Sequence, residues 1–142
     1  MKKAIIGLGS NLGNRLDNLM RARQLMAERV GVIICCSSIS ETEAWGFEAP
    51  AFLNQALILE TELEPLDLLD ELQQIERELG RTHKTTMVDG HPVYSSRTID
   101  LDILDYDGIE FQNERLTLPH PQIPFRDFVQ EELEELRVIS EK

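Results

Sequence analysis

The sequence predicts an α+β domain in which helices pack against an antiparallel sheet. Short apolar, β-branched runs and helix-period stripes succeed one another in the order strand, helix, strand, strand, helix, strand. No internal repeat, low-complexity stretch or Gly/Ser- or Pro-rich linker divides the chain. With 142 residues, 42% of them hydrophobic, the chain suits one core and leaves little room for a second. Residues 1–142 are therefore expected to form a single domain.

Ala4 to Leu8 reads as a buried strand that ends in the turn-prone Gly9-Ser10-Asn11. A helix follows, with Leu16, Leu19, Met20, Met26, Ala27 and Val30 at three- and four-residue spacing and Arg15, Arg21, Arg23 and Arg29 outside; Gly31 ends it. Val32 to Ser40 and Phe52 to Leu63 read as the second and third strands, separated by a loop with Trp45, Gly46, Phe47 and Pro50. Pro65 stands where a first helical residue should. From there Leu66, Leu69, Leu72, Ile75 and Leu79 form a stripe that stops at Gly80, a good C-terminal cap. Residues 82–96 show no periodicity and read as a long loop, a frequent seat of function. Thr98 to Tyr106 reads as the fourth strand, Asp107-Gly108 as a turn, and Ile109 to Phe111 as a short returning strand. This order is the split βαβ, ferredoxin-like arrangement, with helices expected on one face of the sheet.

The net charge is -12, which argues against a broad cationic surface for duplex nucleic acid or anionic membrane, so an anionic ligand must be met locally. No apolar run is long enough to cross a bilayer. Although Lys2 and Lys3 mimic a signal n-region, Ala4 to Leu8 is too short for the apolar segment that should follow. A cytosolic protein is expected. Cys35 and Cys36 are adjacent, so on an extended segment they face opposite ways and serve best as small hydrophobes.

The sharpest local feature is Arg97-Thr98-Ile99-Asp100-Leu101-Asp102-Ile103-Leu104. Strand alternation puts Asp100 and Asp102 on one face and Ile99, Leu101 and Ile103 on the other. Paired carboxylates repel unless a cation or shared proton intervenes, and hard oxygen ligands suit magnesium or manganese. Taken alone, a D-x-D is equally a solvated strand face. An EF-hand fails because Ile103 occupies the first ligand position. Gly7-Leu8-Gly9-Ser10-Asn11-Leu12-Gly13 fits neither the dinucleotide nor the P-loop template, so its glycines read as a tight turn; Asn11 could cap the helix or reach a ligand. His83, His91 and His120 fall in one segment with Arg81, Lys84, Arg97, Arg115 and Arg126, but acidic residues interleave with them and no zinc spacing emerges. Trp45, Phe52, Tyr94 and Phe128 lie in or beside loops, where aromatic faces can stack on a flat heterocycle. Asn54 shares the strand face of Phe52 and could read such a ring's polar edge.

Together these pieces resemble the hydroxymethyldihydropterin pyrophosphokinases of folate biosynthesis. The resemblance runs from about Ala4 to Phe128. It rests on Gly9-Ser10-Asn11-Leu12-Gly13, Phe52-Leu53-Asn54, the Gln73 to Arg81 helix end with Ile75-Glu76, the Arg97 to Ile103 strand and Glu114-Arg115-Leu116-Thr117-Leu118-Pro119-His120-Pro121. It implies transfer of the terminal pyrophosphate of ATP to a pterin alcohol. Asp100 and Asp102 would hold two magnesium ions, and Arg97 and Arg81 would clamp the phosphates. Gln73, Tyr94, Ile103, Arg115, Thr117, His120 and Arg126 match positions around the nucleotide, with Glu76 among the polar positions. Asn11, Thr42, Phe52, Asn54 and Phe128 match the pterin pocket, with the two phenylalanines sandwiching the ring. ATP and the pterin alcohol would be the partners, with neither nucleic acid nor membrane involved.

Three departures from the family's pattern stand out. The 82–96 loop is long, with Tyr94 in place of a frequent tryptophan, and Asp127 replaces a common glycine. Beyond Phe128, an acidic segment, Gln130-Glu131-Glu132-Leu133-Glu134-Glu135-Leu136, replaces an apolar one. As a short helix it could restore the missing packing, support self-association or meet a folate-pathway partner. Two alternatives have other signatures: a D-x-D transferase or phosphohydrolase acting on other nucleotides, and a non-catalytic metabolite-binding module that needs no magnesium.

Overall fold

A computed structural model describes residues 1–43, 51–80 and 98–140, together with the backbone of 86–88 and 91–93. The main sheet contains β1 (Lys2–Ser10), β2 (Gly31–Cys36), β3 (Ser40–Thr42), β4 (Phe52–Thr61) and β7 (Asp100–Tyr106). Its order is β2-β4-β1-β7, with β3 beside the first half of β4, and the pairings are antiparallel. Helices α1 (Arg15–Arg29) and α2 (Pro65–Glu78) follow β1 and β4. The predicted α+β, ferredoxin-like order is therefore present.

One face of the sheet carries the larger core. Ala4, Ile6 and Leu8 of β1, Leu57 and Leu59 of β4, and Leu101 and Ile103 of β7 meet Leu19, Ala22 and Met26 of α1 and Leu68, Leu72 and Ile75 of α2. The α1 stripe is narrower than its spacing implied: Leu16, Met20 and Ala27 are exposed, and Ala22 replaces them in the core. Gly31 belongs to β2 rather than to a helix cap. A Cβ there would lie 1.9 Å from the Glu60 carbonyl oxygen, so the close approach of β2 to β4 admits only glycine. Gly80, with φ +107°, does take the left-handed conformation that ends α2.

The expected second strand is two strands. Ser37 interrupts it: its N–H and Oγ bond the carbonyl and N–H of Ala56 at 2.8 and 2.9 Å, and its carbonyl accepts from Gln55 Nε2 at 2.7 Å. This break lets β2 and β3 pair with successive halves of β4. Within the stretch expected to be a long loop, β5 (Thr86–Val88) pairs with β6 (His91–Val93) in an antiparallel ladder. After the Asp107-Gly108 turn, β8 (Phe111–Gln112) pairs with β9 (Thr117–Leu118) instead of returning along β7.

The larger difference is α3 (Asp127–Ser140), the acidic segment. Helices were expected on one face, yet α3 packs on the other, with Val129 and Leu136 against Ala56, Ile58 and Leu104. Cys35 and Cys36 divide as alternation requires, one towards each core. Glu135 anchors α3 by accepting from Ser38 N and Ser38 Oγ at 2.8 and 2.9 Å. Among the described residues no helix is long and apolar enough to cross a membrane.

Leu136 is 1% exposed. Leu136→Ala is expected to cost about 2–5 kcal/mol in urea denaturation, because it leaves a cavity in the smaller core.

Candidate active site

The cleft follows from the pairing register of three strands. Gly9 of β1 stands opposite Asp100 of β7 on one side and Asn54 of β4 on the other; Gly7 stands between Asp102 and Ala56 in the same way. Ser40 and Thr42 of β3 extend the face, paired with Asn54 and Phe52. This sheet face thus carries two carboxylates, then bare glycine backbone, then an amide and hydroxyls. A Cβ at Gly9 would lie 3.5 Å from both Asn54 Oδ1 and Phe52 Cδ1, and one at Gly7 would lie 3.3 Å from Leu104 Cδ1, so side chains there would fill the floor. These glycines are therefore not the tight turn that their spacing implied. They lie inside β1, which runs on to Ser10.

The cleft has a volume of about 550 Å³. Of the residues predicted from the sequence, Asp100, Asp102, Thr42, Phe52, Asn54, Arg126 and Phe128 line it. Asp100 and Asp102 are half-buried, with Ile99, Leu101 and Ile103 in the core behind them, as alternation required. Asn54 Nδ2 donates to Thr42 Oγ1 at 2.8 Å. Glu76, 4% exposed on α2, accepts the Leu101 N–H through Oε2 at 2.8 Å. It thereby pins β7 between its two aspartates.

Other predicted residues stand outside the cleft. The Ile103 side chain is in the core, so it can offer a ligand only its backbone. Arg115, on the surface, donates through Nη2 to Asp70 Oδ1 at 2.6 Å and to Gln73 Oε1 at 3.3 Å. Thr117 lies on β9. Asn11 is fully buried; the cap of α1 is Asn14, whose Oδ1 accepts from Asp17 N. His120 joins the segment that roofs the cleft to β7: its N–H donates to the Leu104 carbonyl at 2.9 Å, and its Nδ1 accepts from Gln122 N at 3.1 Å. Burial and then Arg126 hold the imidazole below its ordinary value, with Asp100 pulling the other way. Arg81, Tyr94 and Arg97 lie outside the described residues, as do Trp45, His83 and Lys84, and of His91 only the backbone is described.

Sequence reasoning missed Gly7 and Gly9 as cleft floor, and missed Glu43, Leu104, Gln122, Phe125, Asp127, Glu131 and Glu132. The glycines share the strand parity of Asp100 and Asp102, a signal readable only once the register is known. Phe125 is 80% exposed at the rim. The lining is strongly acidic, and Arg126 is its one basic side chain among the described residues. A polyphosphate can enter such a cleft only with cations. The described residues hold no group of three or more metal-ligating side chains, so a metal here would take further ligands from phosphate and water, as magnesium commonly does.

Residues 5–138 match the model of the 7,8-dihydro-6-hydroxymethylpterin-pyrophosphokinase family. The chain belongs to that family. A 2-amino-4-hydroxy-6-hydroxymethyldihydropteridine pyrophosphokinase of Porphyromonas gingivalis is 47% identical over 126 residues, covering 87% of this chain and 83% of the relative. The protein of that name from Bacillus subtilis is 41% identical over 135 residues, covering 94% and 77%. Among solved structures, Plasmodium falciparum HPPK-DHPS with pteroate superposes with a TM-score of 0.69 at 14% identity, over 94% of this chain and 38% of that one. This chain thus spans about two fifths of that longer protein, and the likeness shows a shared fold.

Two outcomes test the geometry of this pyrophosphokinase-family cleft. Glu76→Ala is expected to cost about 1–3 kcal/mol in chemical denaturation, because it leaves the Leu101 N–H buried without its acceptor. Burial, then Glu135, pushes the Glu132 carboxyl from 4.5 up to about 8. The folded state therefore keeps a proton that the unfolded chain releases, and this group's contribution to stability falls as pH rises between those values. Urea midpoints measured across that window should fall less in Glu132→Leu than in the wild type.

Proposed function

We propose that this chain transfers the terminal pyrophosphate of ATP to the hydroxymethyl group of 6-hydroxymethyl-7,8-dihydropterin, acting as a single catalytic domain in folate biosynthesis. The observation that carries the reading is the strand register that sets Asp100 and Asp102 across a glycine floor from Asn54 and Thr42, in a chain of the pyrophosphokinase family. The acceptor oxygen attacks the β-phosphorus, the bond to the α-β bridging oxygen breaks, and AMP departs with that electron pair. The hydroxyl proton must leave as the new P–O bond forms. Asp100 is assigned to receive it.

Catalysis of this kind is alignment and charge stabilisation. The acidic lining and the adjacent carboxylates fit a divalent cation, and Asp100 and Asp102 would hold magnesium, two ions by the family resemblance. Bound there, magnesium would neutralise phosphate charge in the transition state. Arg126, with Arg81 and Arg97, would meet the remaining phosphate oxygens, and Gln73, Arg115, Thr117, His120, Tyr94 and the backbone of Ile103 would surround the nucleotide. Phe52 and Phe128 would bracket the flat ring, with Thr42 and Asn54 at its polar edge and Asn11 behind the turn. The surface tie of Arg115 to Asp70 would have to open for a direct contact.

With ATP, magnesium and the pterin alcohol, purified protein is expected to release AMP. Asp100→Ala and Asp102→Ala should each lower the rate by at least about a hundredfold while keeping the wild-type thermal midpoint. ADP as the product would replace this reading with ordinary phosphoryl transfer. Asp100→Asn with near-normal turnover and metal affinity would remove the proton-accepting role alone.

A further inference from the structure

Helical periodicity leaves Arg15 on the outer face of α1, yet its side chain reaches the strand that edges the cleft. It is the first residue of α1, directly after the Asn14 cap. Its Nη1 donates to Glu41 Oε2 and to the Ala51 carbonyl, both at 2.8 Å. Glu41 precedes Thr42 on β3, and Ala51 precedes Phe52 at the start of β4. Thr42 and Phe52 are partners in the last rung of that ladder, and both line the cleft. One nitrogen therefore bridges the residues that stand just before a cleft hydroxyl and a cleft ring.

Strand β3 is short enough to depend on such a tie. It has three residues, and its ladder with β4 runs only from Ser40 to Thr42. Before β3 the chain is fixed at Ser37, which bonds Ala56 through its N–H and Oγ and accepts from Gln55 Nε2 through its carbonyl. Arg23, about two turns along α1 from Arg15, holds that amide in turn by donating to Gln55 Oε1 at 3.0 Å. At the cleft end Arg15 supplies the corresponding tie, where a terminal rung would otherwise fray. By alternation Glu41 points to the α1 side of the sheet and Thr42 to the cleft, so Arg15 grips β3 from behind the surface that a ligand meets. The side chains of Arg15 and Glu41 are 31% and 57% exposed, so the pair adds little to global stability and acts locally.

We propose that Arg15 is a positioning residue for the acceptor: by tying Glu41 to Ala51 it fixes the spacing between Thr42 and Phe52, and so sets affinity for the acceptor's flat ring without touching it. This rests on the pyrophosphokinase reading. Affinities for the pterin alcohol, with magnesium and a non-hydrolysable ATP analogue, are measured alongside affinity for the analogue itself, the thermal midpoint and the rate of AMP release from ATP. Wild type, Arg15→Met, Arg15→Lys and Arg29→Met are compared. Arg15→Met should weaken pterin binding about tenfold, the size of one charge-assisted hydrogen bond. Its affinity for the ATP analogue, its thermal midpoint and its rate at saturating acceptor should stay at the wild-type values. Because a single nitrogen makes both bonds, the ammonium of Arg15→Lys should restore most of the lost affinity. Arg29→Met removes an ion pair of the same helix with Glu78, away from β3, and should change neither affinity.

Wild-type pterin affinity in Arg15→Met overturns the assignment. So does a loss of both affinities together with a lowered thermal midpoint, which is general loosening, or an equal loss of pterin affinity in Arg29→Met, which is an effect of helix charge. If wild type makes AMP in any of these cases, the pyrophosphokinase reading survives; if wild type binds no pterin alcohol and makes no AMP, both fall.

Discussion

The alternation of β1 is the constraint on which both the core and the cleft depend. Its even positions, Ala4, Ile6 and Leu8, enter the larger core, and its odd positions, Gly7 and Gly9, leave bare backbone between the Asp pair and Asn54. A one-residue slip would send Leu8 into the cleft and a glycine into the core. The core side chains therefore enforce the register, and the register delivers the carboxylates opposite the amide. Glu76 completes this arrangement from the helix side by holding the Leu101 N–H of the strand that bears them.

The second face of the sheet is shared between packing and the cleft. Helix α3 covers it only in part, closing over Ala56, Ile58 and Leu104 and leaving the remainder as a cavity. Its sequence reflects that division. Val129 and Leu136 pack, Glu135 ties the helix to Ser38, and Glu132 is buried with its Oε2 without a hydrogen-bond partner among the described residues. Such compromises are the usual mark of a binding site, since stability is sacrificed where a ligand must be met.

A short irregular stretch carries the roof of the cleft. His120 bonds the Leu104 carbonyl and receives Gln122 N, which holds the chain against the end of β7. Gln130 Nε2 then reaches the carbonyls of Ile123 and Pro124 from the first turns of α3. Between these anchors, Gln122, Phe125 and Arg126 line the cleft.

The sequence by itself determined the order of elements, both helices of the larger core, the parity of Asp100 and Asp102, and the motifs that mark the family. These are local properties: period 2 or 3.6, a proline at a helix start, a glycine at its end. It left undecided which face α3 would cover, where Ser37 would break a strand, and that Gly7 and Gly9 would be a floor rather than a turn. Arg115 looked like a cleft residue from its motif, yet Asp70, distant in sequence, holds it at the surface. Only the tertiary structure settles such points, because strand pairing and burial join residues whose separation along the chain carries no periodic signal.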